Sequence, residues 1–193
     1  AQLVVAGKDR TANELVSAIE GGARIIGENY VQEAEAVYDA IGKAVQWHFI
    51  GHLQKNKVKR AVELFDVIET VDSVELAREI DKRCARIDKI IPVLIEVNSA
   101  HEDDKAGVPP EQVIALAREI SIFPNIKLVG LMTMGATSGS PEEYRPYFNL
   151  TKKLFDEISH LNMPNVEMKY LSMGMTDSYR IALQEGANLV RIG

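Results

Sequence analysis

Apolar residues are grouped into eight short runs along this chain, and each run is bounded by polar or turn-forming residues. The runs cover residues 3–8, 24–29, 46–51, 66–71, 91–98, 127–134, 169–174 and 188–193. Short, turn-bounded runs that are rich in β-branched residues are typical of buried parallel strands. The pattern therefore predicts eight strands.

Most segments between these runs carry the signals of amphipathic helices. Thr11 is followed three residues later by a glutamate, which makes a capping box, and Gly21-Gly22 provides a stop. Further helix starts are predicted at Asp72, Pro109 and Ser140, each with acidic residues in the first turn and apolar positions behind it. Helices thus alternate with strands through the chain.

This alternation predicts an α/β fold, and the count of eight favours a closed (β/α)8 barrel of the TIM type over an open doubly wound sheet. We expect one domain, residues 1–193. The length of 193 residues is slightly below the roughly 200 to 400 of such barrels. Since the first run begins at residue 3 and the last ends at the terminus, we expect the chain to lack segments at both ends.

Composition narrows the class of protein. Apolar residues make up 46% of the chain, which suffices for a sizeable core, and the net charge of −6 argues against nonspecific nucleic-acid binding. The basic residues 55–60 are interpreted as a solvated helix face. No run approaches the roughly 18 apolar residues of a membrane span. A single cysteine, Cys84, predicts a reducing, cytoplasmic setting and a buried structural thiol.

Reactive groups of such barrels lie at the carboxyl ends of the strands. The residues predicted there are Lys8, Glu28, Asn29, His52, Thr70, Asn98, Met132, Met134, Ser172, Gly174, Arg191 and Gly193. The four histidines lack the spacing of metal ligands, and no G-x-S-x-G motif supports a catalytic serine. Metal and serine-hydrolase sites are therefore not predicted.

An anion site is better supported by the last two loops. Barrels commonly bind phosphate after strands seven and eight, where this chain has Ser172 and Gly174, then Arg191 and Gly193. The alternative is that Arg191 makes a structural ion pair and that the glycines serve turns. Opposite a phosphate site, the amine of Lys8 can condense with an aldehyde. Pyridoxal 5′-phosphate (PLP) as a cofactor and a sugar phosphate in an aldolase both fit this arrangement.

Five motifs carry a more specific signal. They are Gly27-Glu28-Asn29-Tyr30-Val31-Gln32-Glu33, His48-Phe49-Ile50-Gly51-His52-Leu53-Gln54, Gly130-Leu131-Met132-Thr133-Met134, Leu171-Ser172-Met173-Gly174-Met175 and Val190-Arg191-Ile192-Gly193. In order and spacing they resemble the pyridoxal phosphate homeostasis protein family, also called the YggS or PROSC family. The resemblance extends over nearly the whole chain.

The resemblance implies a fold-type III barrel, similar to the N-terminal domain of alanine racemase, that holds PLP as a Schiff base. On this sequence it implies Lys8 as the anchoring lysine and Asn29 as a residue facing the cofactor. It implies that the phosphate is held by the Ser-Met-Gly and Arg-Ile-Gly motifs, which supply Ser172, Met173, Gly174, Arg191 and Gly193.

Two segments depart from the family pattern. The family usually has serine before the lysine and a second lysine two residues after it, whereas this chain has Gly7 and Arg10. Glycine is expected to loosen the strand end that aims Lys8. The second departure is Thr176-Asp177-Ser178, where the family tends to have a serine, a variable residue and an aspartate. We expect Thr176 to cap the following helix.

The resemblance does not by itself imply catalysis. Racemisation needs two acid/base groups, and alanine racemase takes its second from a separate domain for which this chain is too short. Packing roles are predicted for Tyr30, Tyr38, Tyr144 and Tyr147. We therefore favour a monomeric, non-catalytic or weakly catalytic PLP-binding protein that takes part in PLP homeostasis, by buffering the cofactor or delivering it to PLP-dependent apo-enzymes. An amino-acid racemase and a Schiff-base aldolase are the alternatives. A further hypothesis is that Lys55 or Lys57 assists transfer.

Overall fold

Strands and helices alternate along the chain in the computed structural model, which describes residues 1–102, 105–136 and 139–193. The strands are β1 (Gln2–Ala6), β2 (Ile25–Glu28), β3 (Gln46–Phe49), β4 (Val67–Val71), β5 (Ile91–Glu96), β6 (Ile126–Thr133), β7 (Val166–Met173) and β8 (Leu189–Ile192). The α-helices are α1 (Ala12–Glu20), α2 (Val31–Ile41), α3 (Val58–Leu64), α4 (Val74–Ala85), α5 (Val113–Ile120), α6 (Arg145–His160) and α7 (Tyr179–Gln184).

The eight strands form a closed barrel in sequence order, and every neighbouring pair is parallel. Pairing of β1 with β8 closes the barrel, with Leu3 opposite Val190. Each strand overlaps one of the eight apolar runs. The (β/α)8 barrel predicted from the sequence is confirmed, and the open sheet, which would leave two strand edges unpaired, is not.

Three of the predicted helix starts hold in detail. The Thr11 side chain accepts a hydrogen bond from the backbone of Glu14, and the Glu14 side chain accepts one from the backbone of Thr11. Ser140 caps the turn of residues 141–144 in the same way, and a 3₁₀ turn at residues 110–112 leads into α5. The start assigned to Asp72 is wrong by one residue. Ser73 caps α4, because its hydroxyl accepts from the backbone of Leu76.

The main core lies between the outer face of the barrel and the helices. Its members include Cys84, which is fully buried on α4. Burial raises the pKa of this thiol to about 11, as expected for a structural cysteine. In the described part of the chain, no helix is both long enough and apolar enough to cross a membrane.

The inside of the barrel changes from apolar to polar along the strands. Val67, Leu94, Tyr170 and Leu189 belong to two small apolar clusters. The residue two positions later lies on the same face of each strand, nearer the carboxyl end. Those residues are Glu69, Glu96, Ser172 and Arg191, all buried. The sequence therefore places a polar layer inside the barrel directly below its carboxyl-terminal mouth.

Candidate cofactor site at the barrel mouth

The predicted site residues are brought together where the ends of β7, β8, β1 and β2 adjoin. The backbone N–H of Arg191 donates to the carbonyl of Gly174 at 3.0 Å. A Cβ on Gly193 would lie 3.3 Å from the Cβ of Ala6, the last residue of β1. These contacts place both proposed phosphate-binding loops beside the strand that leads to Lys8.

Lys8 is exposed in a tight turn just beyond β1. The N–H of Arg10 donates to the carbonyl of Gly7 at 2.9 Å and closes this turn. Asp9 occupies the third position with φ of 59°, a conformation that aspartate adopts more readily than most residues. The turn leaves the Lys8 side chain outside the packed core and free to meet a ligand.

Gly7 is more restrained than its residue type suggests. Its N–H donates to the carbonyl of Gly27 at 2.8 Å, and its carbonyl accepts from Arg10. A Cβ on Gly7 would overlap the carboxyl group of Glu28, with Cδ at 2.8 Å. The expectation that glycine loosens this strand end is not what the hydrogen bonds indicate, because both backbone groups of Gly7 are bonded and its open side is filled by Glu28.

Glu28 is itself an unusual group, because its side chain is almost completely buried. Its Oε2 has no hydrogen-bond partner among the described residues, and neither does Oε2 of Glu33 in the first turn of α2. Burial raises the pKa of Glu28 to about 7, and the charge of Glu33 acts in the same direction. A carboxyl that titrates near neutrality therefore lies directly beneath the residue that precedes Lys8.

The Ser-Met-Gly motif contributes each residue differently. Ser172 points into the barrel and Met173 packs in the outer core, as alternation along a strand requires. Gly174 has φ of 94°, and a Cβ there would lie 2.5 Å from the Cβ of Ala182 and 2.9 Å from the Cα of Tyr179. Only glycine fits at this bend, so Met173 and Gly174 can offer a ligand backbone groups alone.

Ser172 and Arg191 belong to a buried hydrogen-bonded network that the sequence analysis missed. Ser172 Oγ donates to Glu69 Oε2 at 2.6 Å, and Arg191 Nη1 donates to Ser172 Oγ at 2.7 Å. His48 Nδ1 lies 2.6 Å from the other Glu69 oxygen. His48 Nε2 is buried and has no hydrogen-bond partner among the residues described. The network is one continuous chain, His48–Glu69–Ser172–Arg191.

The pKa values of Glu69 and Glu96, which both lie inside the barrel, are shifted in opposite directions. Burial alone would raise the pKa of Glu69, but hydrogen bonds from His48 and Ser172 and the charge of Arg191 hold it below its ordinary value. Burial and the charge of Asp72 raise the pKa of Glu96 to about 7, against the opposing charge of Arg191. Glu69 is thus the ionised carboxylate of the barrel, and Glu96 is poised to titrate.

Arg191 is anchored on the β6 side as well. Its Nη2 donates to the carbonyl of Thr133 at 2.8 Å and lies 3.3 Å from Met134 Sδ. Burial lowers the pKa of Arg191, and the charges of Glu69 and Glu96 oppose that shift. Glu69 compensates the charge of Arg191 without touching it, because a serine hydroxyl lies between the guanidinium and Glu69. These contacts leave open both a structural role for Arg191 and a role beneath a bound phosphate.

The remaining predicted residues are placed around this centre. Asn29 is half-buried at the end of β2, where a Cβ on Gly51 would lie 2.7 Å from its Cα. Lys57 is half-buried and lines a small surface cavity with Asn29 and His52, whereas Lys55 is exposed. The structure thus brings Lys57, but not Lys55, beside a predicted site residue.

Two local expectations are wrong. Thr176 is exposed and does not cap α7, which begins after Ser178. The Ser178 hydroxyl instead accepts from the backbone N–H of Met175 at 3.1 Å. Tyr30 precedes α2 and is 53% exposed, so it does not pack in the core. Tyr38 does pack, against Trp47, and Tyr144 stacks on Phe148.

Sequence reasoning missed Glu69, His48 and Glu96 because each lies within an apolar run rather than after it. The signal was an ionisable residue inside a strand that was expected to be buried. Such residues are rarely buried without a partner. Each of the three follows an apolar residue by one position and lies on the inward face of its strand. A search for charged residues inside predicted strands would have found them.

The mouth fits a phosphorylated aldehyde cofactor such as PLP. Lys8 supplies an exposed amine, and Gly174, with φ of 94°, forms a tight glycine bend between β7 and α7. Arg191 supplies a buried positive charge below the mouth. An amine, a glycine-lined loop and a cation are the groups that an aldehyde and its phosphate require.

Comparison with known proteins identifies the family. The family model for the alanine racemase N-terminal domain matches residues 6–193. A protein from Aquifex aeolicus named pyridoxal phosphate homeostasis protein is 42% identical over 173 residues, which cover 89% of this chain and 75% of that protein. A human protein of the same name is 35% identical and is matched over 100% of this chain and 74% of its own length.

Two solved structures share the fold of this chain. PipY of Synechococcus elongatus, in a structure with PLP bound, superposes with a TM-score of 0.91 at 30% identity, covering 100% of this chain and 90% of that one. Alanine racemase of Clostridium difficile superposes with a TM-score of 0.83 at 15% identity over 100% of this chain and 50% of its own. The latter likeness concerns the fold alone.

The fold and the site define an alanine racemase N-terminal-domain-like barrel with a lysine at its mouth. Within that class, this chain belongs to the pyridoxal phosphate homeostasis protein family.

Proposed function

We propose that this chain binds PLP covalently through the amine of Lys8 and takes part in intracellular PLP homeostasis or delivery. The observation that carries the proposal is the exposed Lys8, held in a closed turn beside the Gly174 and Gly193 loops. The names of the relatives and the PLP-bound state of PipY support the choice of ligand.

Each residue has a defined part in this proposal. When bound, PLP supplies an aldehyde that condenses with a lysine amine. The backbone at Met173, Gly174 and Gly193 holds the phosphate, and Arg191 provides positive charge from below. Asn29 borders the cofactor on the β2 side. Ser172 acts mainly through Arg191, because its one hydroxyl proton is directed to Glu69.

We propose a carrier without robust catalysis. Turnover such as racemisation requires a second positioned acid or base on the opposite face of the bound molecule. Tyr144 is buried against Phe148, and Tyr38 packs against Trp47, so both rings are already engaged in packing contacts. Tyr30 is exposed beside Asn29 and is the residue to exclude by mutation.

The wider setting is also proposed. We suggest that residues 1–193 act as one domain and as a monomer in the cytoplasm. PLP-dependent apo-enzymes would be the recipients of the cofactor. The single cysteine, buried and unreactive by position, fits a reducing compartment. Lys57, beside Asn29, remains the candidate for assisting transfer.

Borohydride trapping tests the proposal directly. The protein is incubated with PLP, reduced, digested and analysed by mass spectrometry. We expect the pyridoxyl label on the peptide that contains Lys8 and its loss in Lys8→Ala. Lys153→Ala is the matched control, since Lys153 is exposed on α6, away from the mouth.

A parallel assay follows the optical purity of L-amino acids incubated with the PLP-loaded protein and with Tyr30→Phe. We expect no racemisation above free PLP. Labelling that is unchanged in Lys8→Ala would overturn the proposed anchor. Rapid racemisation that Tyr30→Phe abolishes would overturn the carrier assignment.

A further inference from the structure

We infer that Glu69 is a positioning residue of the cofactor site, acting on Arg191 through the hydroxyl of Ser172. The inference rests on the proposed PLP site for its functional meaning and on the buried network for its geometry. Glu69 lies on β4, Ser172 on β7 and Arg191 on β8, so the link runs across the inside of the barrel. All three side chains are almost completely buried.

The direction of each hydrogen bond follows from the chemistry of the groups. Arginine has only donors, an ionised carboxylate has only acceptors, and a serine hydroxyl has one proton. Arg191 Nη1 must therefore donate to Ser172 Oγ, and the hydroxyl must donate to Glu69 Oε2. Ser172 has no second proton to offer to a ligand. Ser172 therefore connects the cation, Arg191, to the anion, Glu69.

The carboxylate is fixed at both oxygens. His48 Nδ1 is 2.6 Å from Oε1 while Ser172 Oγ is 2.6 Å from Oε2. Since hydrogen bonds to the ionised form favour that form, these contacts lower the pKa of Glu69 despite its complete burial. A negative charge is thereby held at one defined place in the barrel.

That charge has a specific effect on Arg191. A buried guanidinium is costly unless it is paired and hydrogen-bonded. Glu69 supplies the compensating charge, and Ser172, which is hydrogen-bonded to both groups, fixes the orientation of the guanidinium. Thr133 and Met134 hold the other side of the guanidinium. When Glu69 is neutralised, the Ser172 hydroxyl loses its charged acceptor, and Arg191 is held less firmly. Ligand affinity therefore falls, although Glu69 does not touch the ligand.

A double-mutant cycle tests the link. Glu69→Gln preserves shape and removes the charge, and Ser172→Ala removes the connection. We expect each change to weaken PLP binding, measured by equilibrium dialysis, by about tenfold or more, which is the size of one charged hydrogen bond. The double variant should lose little beyond either single variant, because both changes break the same link.

Glu96→Gln is the matched control in the cycle. Glu96 is a second buried barrel carboxyl that interacts with Arg191 by charge alone, with no hydrogen bond to Ser172 among those of the described residues. Its effect should add to that of Ser172→Ala. Urea unfolding of every variant separates affinity from stability.

A second readout uses the protein without PLP. Side-chain N–H signals of Arg191 in ¹⁵N NMR should exchange with water faster in both Glu69→Gln and Ser172→Ala. Additive losses in the cycle, or unchanged Arg191 exchange in both variants, would overturn the inference. If the wild-type chain fails to bind PLP, the proposed function fails, while the NMR comparison still decides the link. Should Glu69→Gln not fold, Glu69→Asp, which keeps the charge and shortens its reach to Ser172, takes its place in both measurements.

Discussion

The carboxyl group of Glu28 occupies the space in which a side chain at Gly7 would begin. A Cβ on Gly7 would come within 2.8 Å of Glu28 Cδ, and Glu28 has a buried oxygen without a hydrogen-bond partner in the described structure. Gly7 directly precedes Lys8, so the residue that packs against Glu28 and the proposed anchor of the cofactor are neighbours in the chain. The missing side chain at residue 7 is thus part of the local packing.

Gly7→Ala should destabilise the protein by roughly 1 to 3 kcal/mol, the usual cost of inserting a methyl group into a filled site. Thermal or urea unfolding measures the change. Gly21→Ala is the control, because Gly21 has helical φ and its nearest foreign atoms lie at 3.3 and 3.4 Å. Combining Gly7→Ala with Glu28→Ala should recover much of the loss. A Gly7→Ala protein as stable as wild type would show that Glu28 moves aside freely.

Glu28 should also give the protein a pH-dependent stability. Its pKa is about 7 in the folded chain, above its ordinary value of 4.5, so the folded state binds more protons between these two values. The contribution of Glu28 to the free energy of unfolding is therefore largest below pH 4.5, and it is lost as the pH rises through 7. Glu28→Gln removes that dependence, and its stability relative to wild type should rise over this interval by roughly 1 to 3 kcal/mol.

The measurement is the free energy of urea unfolding at several pH values from 4.5 to 8. Glu157→Gln, an exposed change on α6, serves as the comparison and should run parallel to wild type. A difference between Glu28→Gln and wild type that does not vary with pH would contradict the assignment of a raised pKa.

Cys84 should be almost inert in the native protein. It is fully buried, and burial raises its pKa to about 11, so both access and thiolate formation are suppressed. Reaction with a disulfide reagent at pH 8 should be much slower in buffer than in urea that unfolds the chain. Comparable rates in the two solutions would mean that α4 opens readily in the native state.

Much of the architecture follows from local patterns. Strands such as β5 and β6 are continuous apolar runs, and the Thr11 cap uses residues only three positions apart, so short-range rules suffice for them. The start of α4 was misplaced because Asp72 and Ser73 are both good capping residues. Thr176 failed as a cap for a similar reason, since Ser178 lies closer to the helix that forms.

The site divides in the same way. Lys8, Asn29, Gly174, Arg191 and Gly193 follow or end strands, so barrel topology alone predicts that they gather at one mouth. The hydrogen-bonding partners of Ser172 and Arg191 were not predictable by this route. They depend on which inward side chains approach to within 3 Å after the barrel closes.

The sequence by itself determined the eight strands, their closure into a barrel, the family and the position of Lys8 after β1, because periodicity, turn residues and motif order are local properties. Only the tertiary structure decided that Glu28 fills the space at Gly7 and that Ser172 lies between Glu69 and Arg191. Ser172 and Glu69 are 103 residues apart in the chain. Their contact arises because alternate residues of different strands face one narrow interior, where a buried charge is stable only beside its partner.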